Sequence, residues 1–247
     1  MSLWLLTILL ALPVLITGMI FLSLKIKAKN LRFLLAFSAA YLFAISVTHL
    51  LPECYEGTNA KTVGLFILIG FFIQIVIEYF SAGIEHGHTH LHSDSCKKHL
   101  PLGMITGLYL HSLLEGLPIY QSSNIEMTDS ILSTQQSLIF GITLHNIPIA
   151  IAFVTLLLEH QSNKTKTVIL LIGFALMAPL GCFISYTLNS FGVHNYEGFL
   201  KLSFGVVIGI FLHISTAIMF ETGENHKYNL AKIMSMIAGV FLAAFIS

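Results

Sequence analysis

Eight apolar runs, each long enough to cross a bilayer as a helix, fall at about 3–24, 31–51, 62–80, 102–120, 138–158, 167–188, 199–220 and 229–246. A hydrocarbon core of about 30 Å takes roughly 20 residues of helix. Inside it every backbone N–H and C=O must be paired within the protein, so only helices or a closed barrel can span. No run shows the alternation of a barrel strand. The expectation is an all-α polytopic membrane protein of eight transmembrane helices. Composition agrees, with 55% hydrophobic and 10% charged residues and a mean hydropathy of +0.84, which excludes a soluble domain of this length. The first run has no basic residues before it and is followed by Lys25, Lys27 and Lys29. It reads as a retained span, not a cleaved leader.

Twelve Lys and Arg balance twelve Asp and Glu, which leaves no electrostatic case for a nucleic-acid partner. Placement is more informative than balance. Lys25, Lys27, Lys29, Arg32, Lys97, Lys98, Lys164, Lys166, Lys227 and Lys232 fall in or beside loops on one side, and Lys61 and Lys201 on the other. The positive-inside rule makes the first side cytoplasmic, so both termini are expected to be extracytoplasmic, in a cell membrane. Apart from 81–101 and 121–137 the loops are short, and residues 1–247 read as one integral domain. Cys54, Cys96 and Cys182 are odd in number and widely spaced, which supports neither a disulfide framework nor a zinc knuckle.

Ionisable groups deep in a bilayer cost about 2.5–3.5 kcal/mol each even on lenient scales, so each needs a partner or a function. The fourth run places His111 and Glu115 one turn apart, hence on one helical face. An imidazole nitrogen beside a carboxylate is half of a zinc site. The fifth run, laid on the fourth at an offset of 34 residues, matches Gly141 to Gly107, His145 to His111, Asn146 to Ser112 and Ile149 to Glu115. Facing each other, the two segments would supply His111, Glu115, His145 and Asn146, with Ser112 beside them. This N/O set suits Zn²⁺ as a transported substrate, tolerates Fe²⁺, Mn²⁺ or Cd²⁺, and disfavours Cu(I) for want of thiolates. Pro118 and Pro148 follow the histidines, and a proline frees the carbonyl one turn upstream, the local unwinding that transporters use at ion sites. The bland alternative is a packing kink with hydrogen-bonded histidines.

Other polar positions are weaker. His49 and Glu53, again four apart, end the second run as an entry relay or as a solvated helix end. Glu78 and His213 are lower-ranked pathway residues, with snorkelling and ordinary hydrogen bonding as their alternatives. In the cytoplasmic loop 85–99, His86, His88, His90 and His92 are spaced two apart, a metal-catching composition.

The His111-Ser-Leu-Leu-Glu115-Gly116 segment, the His49-Leu-Leu-Pro52-Glu53 end of the second run, the eight spans and the His-rich loop together resemble the ZIP family of divalent metal-ion transporters. The resemblance implies an eight-helix bundle with its metal pathway along spans four and five, and uptake of zinc or related ions toward the cytoplasm. It also implies an elevator-like shift of spans four and five with their neighbours against the rest. Family members often carry a binuclear site with carboxylates on spans five and six. This chain has Ile149 in one such place and no acidic residue over 167–188, so one dominant site is expected.

No Walker sequence is present, so transport is expected to follow gradients rather than ATP hydrolysis. The expected partners are divalent ions and the lipid bilayer, with a homodimer left open. The rival reading is an intramembrane zinc-dependent hydrolase, since catalytic zinc also uses His and Glu. Against it, the chain has no HExxH.

Overall fold

The computed structural model describes residues 2–24, 31–81, 102–120, 129–160, 163–192, 196–220 and 230–246. His86, His88, His90 and His92, together with Lys25, Lys27, Lys29, Lys97, Lys98 and Lys227, lie outside these. The described residues form helices and the turns that end them. They are α1 (Leu3–Leu24), α2 (Leu31–Tyr55), α3 (Ala60–Ser81), α4 (Leu102–Gly116), α5 (Asp129–Glu159), α6 (Lys164–Ser190), α7 (Tyr196–Phe220) and α8 (Leu230–Ile246).

Among the described residues, six helices are long and apolar enough to cross a membrane, namely α1, α2, α3, α5, α6 and α7. Helices α4 and α8, of 15 and 17 residues, are shorter. At 1.5 Å per residue α4 covers about 22 Å. It stops because Pro118 has no N–H to give to the Leu114 carbonyl. Leu117 N takes that carbonyl instead, at 3.2 Å, and Ile119 N bonds Gly116 O at 3.3 Å, so the chain tightens into a turn. Pro148 behaves differently, since α5 runs through it unbroken. The unwinding expected near both prolines is therefore a helix end at one and no break at the other.

Proline also shapes α2. Pro52 cannot bond the Thr48 carbonyl, and the helix passes through one π turn, Ser46–Leu50, in which Leu51 N–H reaches back to Ser46 O. The extra residue per turn re-aims the segment that carries His49, as π turns do elsewhere.

The outward faces are apolar at helical spacing. Leu65, Leu68, Phe72 and Val76 are exposed along α3, and Ile169, Ile172, Leu176, Leu180 and Phe183 along α6. Stripes of this length on a water-facing surface would aggregate, whereas hydrocarbon solvates them.

The helices divide by their packing. α1 lies along α5 and α6, and α6 along α4; α2 lies along α7 and α8, and α3 along α7. Contacts of α2 with α5 and of α3 with α4 join the two groups. Two glycines set the approaches nearest the polar cluster. A Cβ on Gly116 would run into the Ala178 carbonyl, which draws α4 against α6; one on Gly141 would meet Ile45, Leu42 and Tyr41 at 2.9–3.0 Å, which draws α5 against α2. Close contact through small residues is the usual means of association where lipid offers no hydrophobic drive.

Candidate metal centre

The backbones of α4 and α5 scarcely approach each other, and polar side chains from both helices bridge the gap. His111, Glu115 and His145 each offer a ligand atom, with all three atoms within 4.8 Å of one another and all three residues buried. Among the described residues it is the one grouping of three or more His, Cys, Asp or Glu so placed. On α4, the four-residue spacing brings His111 Nε2 to 3.1 Å from Glu115 Oε1. Across the gap the His111 and His145 rings meet edge to face, with centroids 6.2 Å apart.

Asn146 completes the cluster. Its Nδ2 donates to Glu115 Oε2 at 3.4 Å. The amide nitrogen, a donor, is thus the end that faces the carboxyl oxygen. The Asn146 Oδ1 is buried and accepts no hydrogen bond among the described residues. Such an oxygen carries a desolvation penalty of about 1–3 kcal/mol unless something electropositive meets it.

Charge in the cluster is one-sided. Glu115 is the penultimate residue of α4, where unpaired carbonyls give the helix end a partial negative charge. A carboxylate there is disfavoured and a cation favoured. Ligands around a tetrahedral zinc at about 2.0–2.2 Å lie roughly 3.3 Å apart. Side chains already within 4.8 Å need only small rotations to close on an ion.

The remaining sequence candidates are distributed. Ser112 is buried beside His111. His49 lies in the π turn with its Nδ1 2.6 Å from Thr48 Oγ1, and Glu53 is half-buried one turn on; neither joins the cluster. Glu78 on α3 and His213 on α7 form a separate pair, Oε2 to Nδ1 at 3.6 Å, with Phe71 edge-on to the imidazole at 4.9 Å. Ile149, the counterpart of Glu115, packs in an apolar cluster with Ile105, Leu108, Phe153 and Phe174.

One neighbour of the cluster was not anticipated. Ser38 on α2 is fully buried, and its Oγ lies 3.5 Å from His145 Nδ1. A lone serine in an apolar run gives no signal, because serine is common at membrane helix contacts.

Lipid-facing helices around an enclosed cluster of two imidazoles and a carboxylate define a multi-pass membrane protein. Residues 101–247 match the model of the family described as ZIP zinc transporter, and the chain belongs to that family. The family consists of divalent-metal transporters and not enzymes, which removes the hydrolase alternative. No curated protein matches the chain in sequence.

Proposed function

We propose that this protein carries Zn²⁺ across the cell membrane into the cytoplasm, and that His111, Glu115, His145 and Asn146 hold the ion on its way. The observation that carries the reading is the meeting of three buried ligand atoms within 4.8 Å in a gap where α4 and α5 make little direct contact. Two imidazoles, a carboxylate and an amide oxygen match the borderline character of zinc, with Fe²⁺, Mn²⁺ and Cd²⁺ as weaker cargo. The apolar setting of Ile149 argues for one dominant ion rather than a bridged pair.

In this reading all eight helices span, with α4 and α8 the short ones, and both termini face outward because the basic loops stay in the cytoplasm. His49 and Glu53 serve the outer approach, Ser112 the site itself, Glu78 and His213 the inner exit, and His86, His88, His90 and His92 capture the released ion. An inside-negative potential drives a dication inward by about 2.3 kcal/mol per charge for each 100 mV. Alternating access follows from a slide of α1, α4, α5 and α6 against α2, α3, α7 and α8. The close packing of α1 with α5 and α6, of α4 with α6, and of α2 and α3 with α7 supports these sets moving as units.

Uptake of isotopic zinc, iron, manganese and cadmium into sealed proteoliposomes, with the potential set negative inside, tests the reading. Saturable zinc entry ahead of the other ions is expected. Zinc entry no faster than in protein-free vesicles, or transport that prefers another ion, overturns it.

A further inference from the structure

We propose that Ser38 is a positioning residue for transport: it accepts a hydrogen bond from His145 Nδ1–H and thereby reserves the Nε2 lone pair for the ion. The proposal rests on the ligand role assigned above to His145.

A serine hydroxyl carries one hydrogen. In Ser38 that hydrogen goes to the Leu35 carbonyl, with Oγ 3.1 Å from the oxygen. The same Oγ lies 3.5 Å from His145 Nδ1. With its hydrogen committed, Oγ can offer Nδ1 only lone pairs, so the proton on the neutral imidazole belongs on Nδ1. The lone pair then resides on Nε2, which is fully buried. A metal-bound histidine is commonly held this way, its second nitrogen donating to an outer partner that fixes tautomer and ring orientation. Charge withdrawn through Nε2 by a bound dication strengthens Nδ1–H as a donor and tightens the contact.

Ser38 stands on α2, whereas the ligands stand on α4 and α5. The hydrogen bond therefore crosses between the two helix groups. A slide of even one helical turn, about 5.4 Å, breaks it. His145 is thus fixed for metal in the arrangement seen here and released when the groups shift, so that ion affinity falls as access changes.

The test combines transport with a direct view of the tautomer. Zinc uptake is measured in proteoliposomes for the wild type, Ser38→Ala, Ser38→Thr and His145→Ala, with ¹⁵N-histidine NMR of the same reconstituted proteins. His145→Ala assigns the resonances by difference. Ser38→Ala removes one atom from a packed position and should fold normally. It is expected to raise KM for zinc about tenfold, the lower end for loss of an outer partner, with kcat within about twofold. The Nδ1–H signal of His145 should lose intensity to the Nε2–H form. Ser38→Thr keeps the acceptor and should retain the wild-type tautomer. Unchanged KM in Ser38→Ala, or an unchanged His145 tautomer, overturns the proposal. Uptake that survives His145→Ala condemns the ligand set instead, a result separable from failure of the serine alone.

Discussion

Asn146 Nδ2 on α5 donates to Glu115 Oε2 on α4 at 3.4 Å, and His111 on Glu115's own helix meets its other oxygen at 3.1 Å. One carboxylate thus joins two helices whose backbones stay apart. A cation entering between them can take over the oxygen that His111 holds and find the amide oxygen of Asn146 within the same cluster.

Replacing Asn146 by aspartate puts a second carboxylate beside Glu115. Harder ligands favour harder ions. The zinc-to-manganese preference, measured as the ratio of kcat/KM values, should fall about tenfold, equivalent to roughly 1.4 kcal/mol.

Gly116→Ala should loosen the α4–α6 contact. Its Cβ meets the Ala178 carbonyl, which belongs to a helix backbone and cannot swing aside. Overpacking of this kind costs about 1–3 kcal/mol. The melting temperature in detergent should fall by several degrees. Gly64→Ala, whose Cβ would meet only the Tyr55 hydroxyl at 3.9 Å, should leave it unchanged.

Much of the cluster was legible in the sequence because periodicity and cost acted together. His111 and Glu115 share a helical face by spacing alone, and no buried carboxylate is placed in oil without reason. His145 and Asn146 emerged from the overlay of the fifth run on the fourth, which is a statement about related segments. Tertiary contacts are different. Ser38 reaches His145 only because Gly141 lets α2 come close, and nothing local to Ser38 announces it. Helix limits are less legible where polarity and proline intervene. The apolar run 102–120 is longer than its helix, which ends at Gly116 ahead of Pro118. The apolar run that begins at 138 lies within a longer helix, since α5 starts at Asp129. The polar stretch before 138 hid this; Gln135 is buried there, with its Nε2 donating to Ile119 O at 2.6 Å.

The proposed site holds zinc through lone pairs of His111 and His145, and a protonated imidazole has none to give. Protons therefore compete with the ion. Uptake at subsaturating zinc should decline steadily as the outer pH is lowered, through a rising KM, and high zinc should restore the rate. A decline in kcat at constant KM would place the pH effect elsewhere.

Radioactive zinc uptake by proteoliposomes of the His111→Ala, Glu115→Ala double variant tests the central claim most directly, provided that the variant is first shown to be folded and inserted. Loss of two of the proposed ligands should reduce kcat/KM by at least about a hundredfold, the upper end for loss of even an outer partner. Uptake at the wild-type rate would mean that the ion travels by another route through this protein.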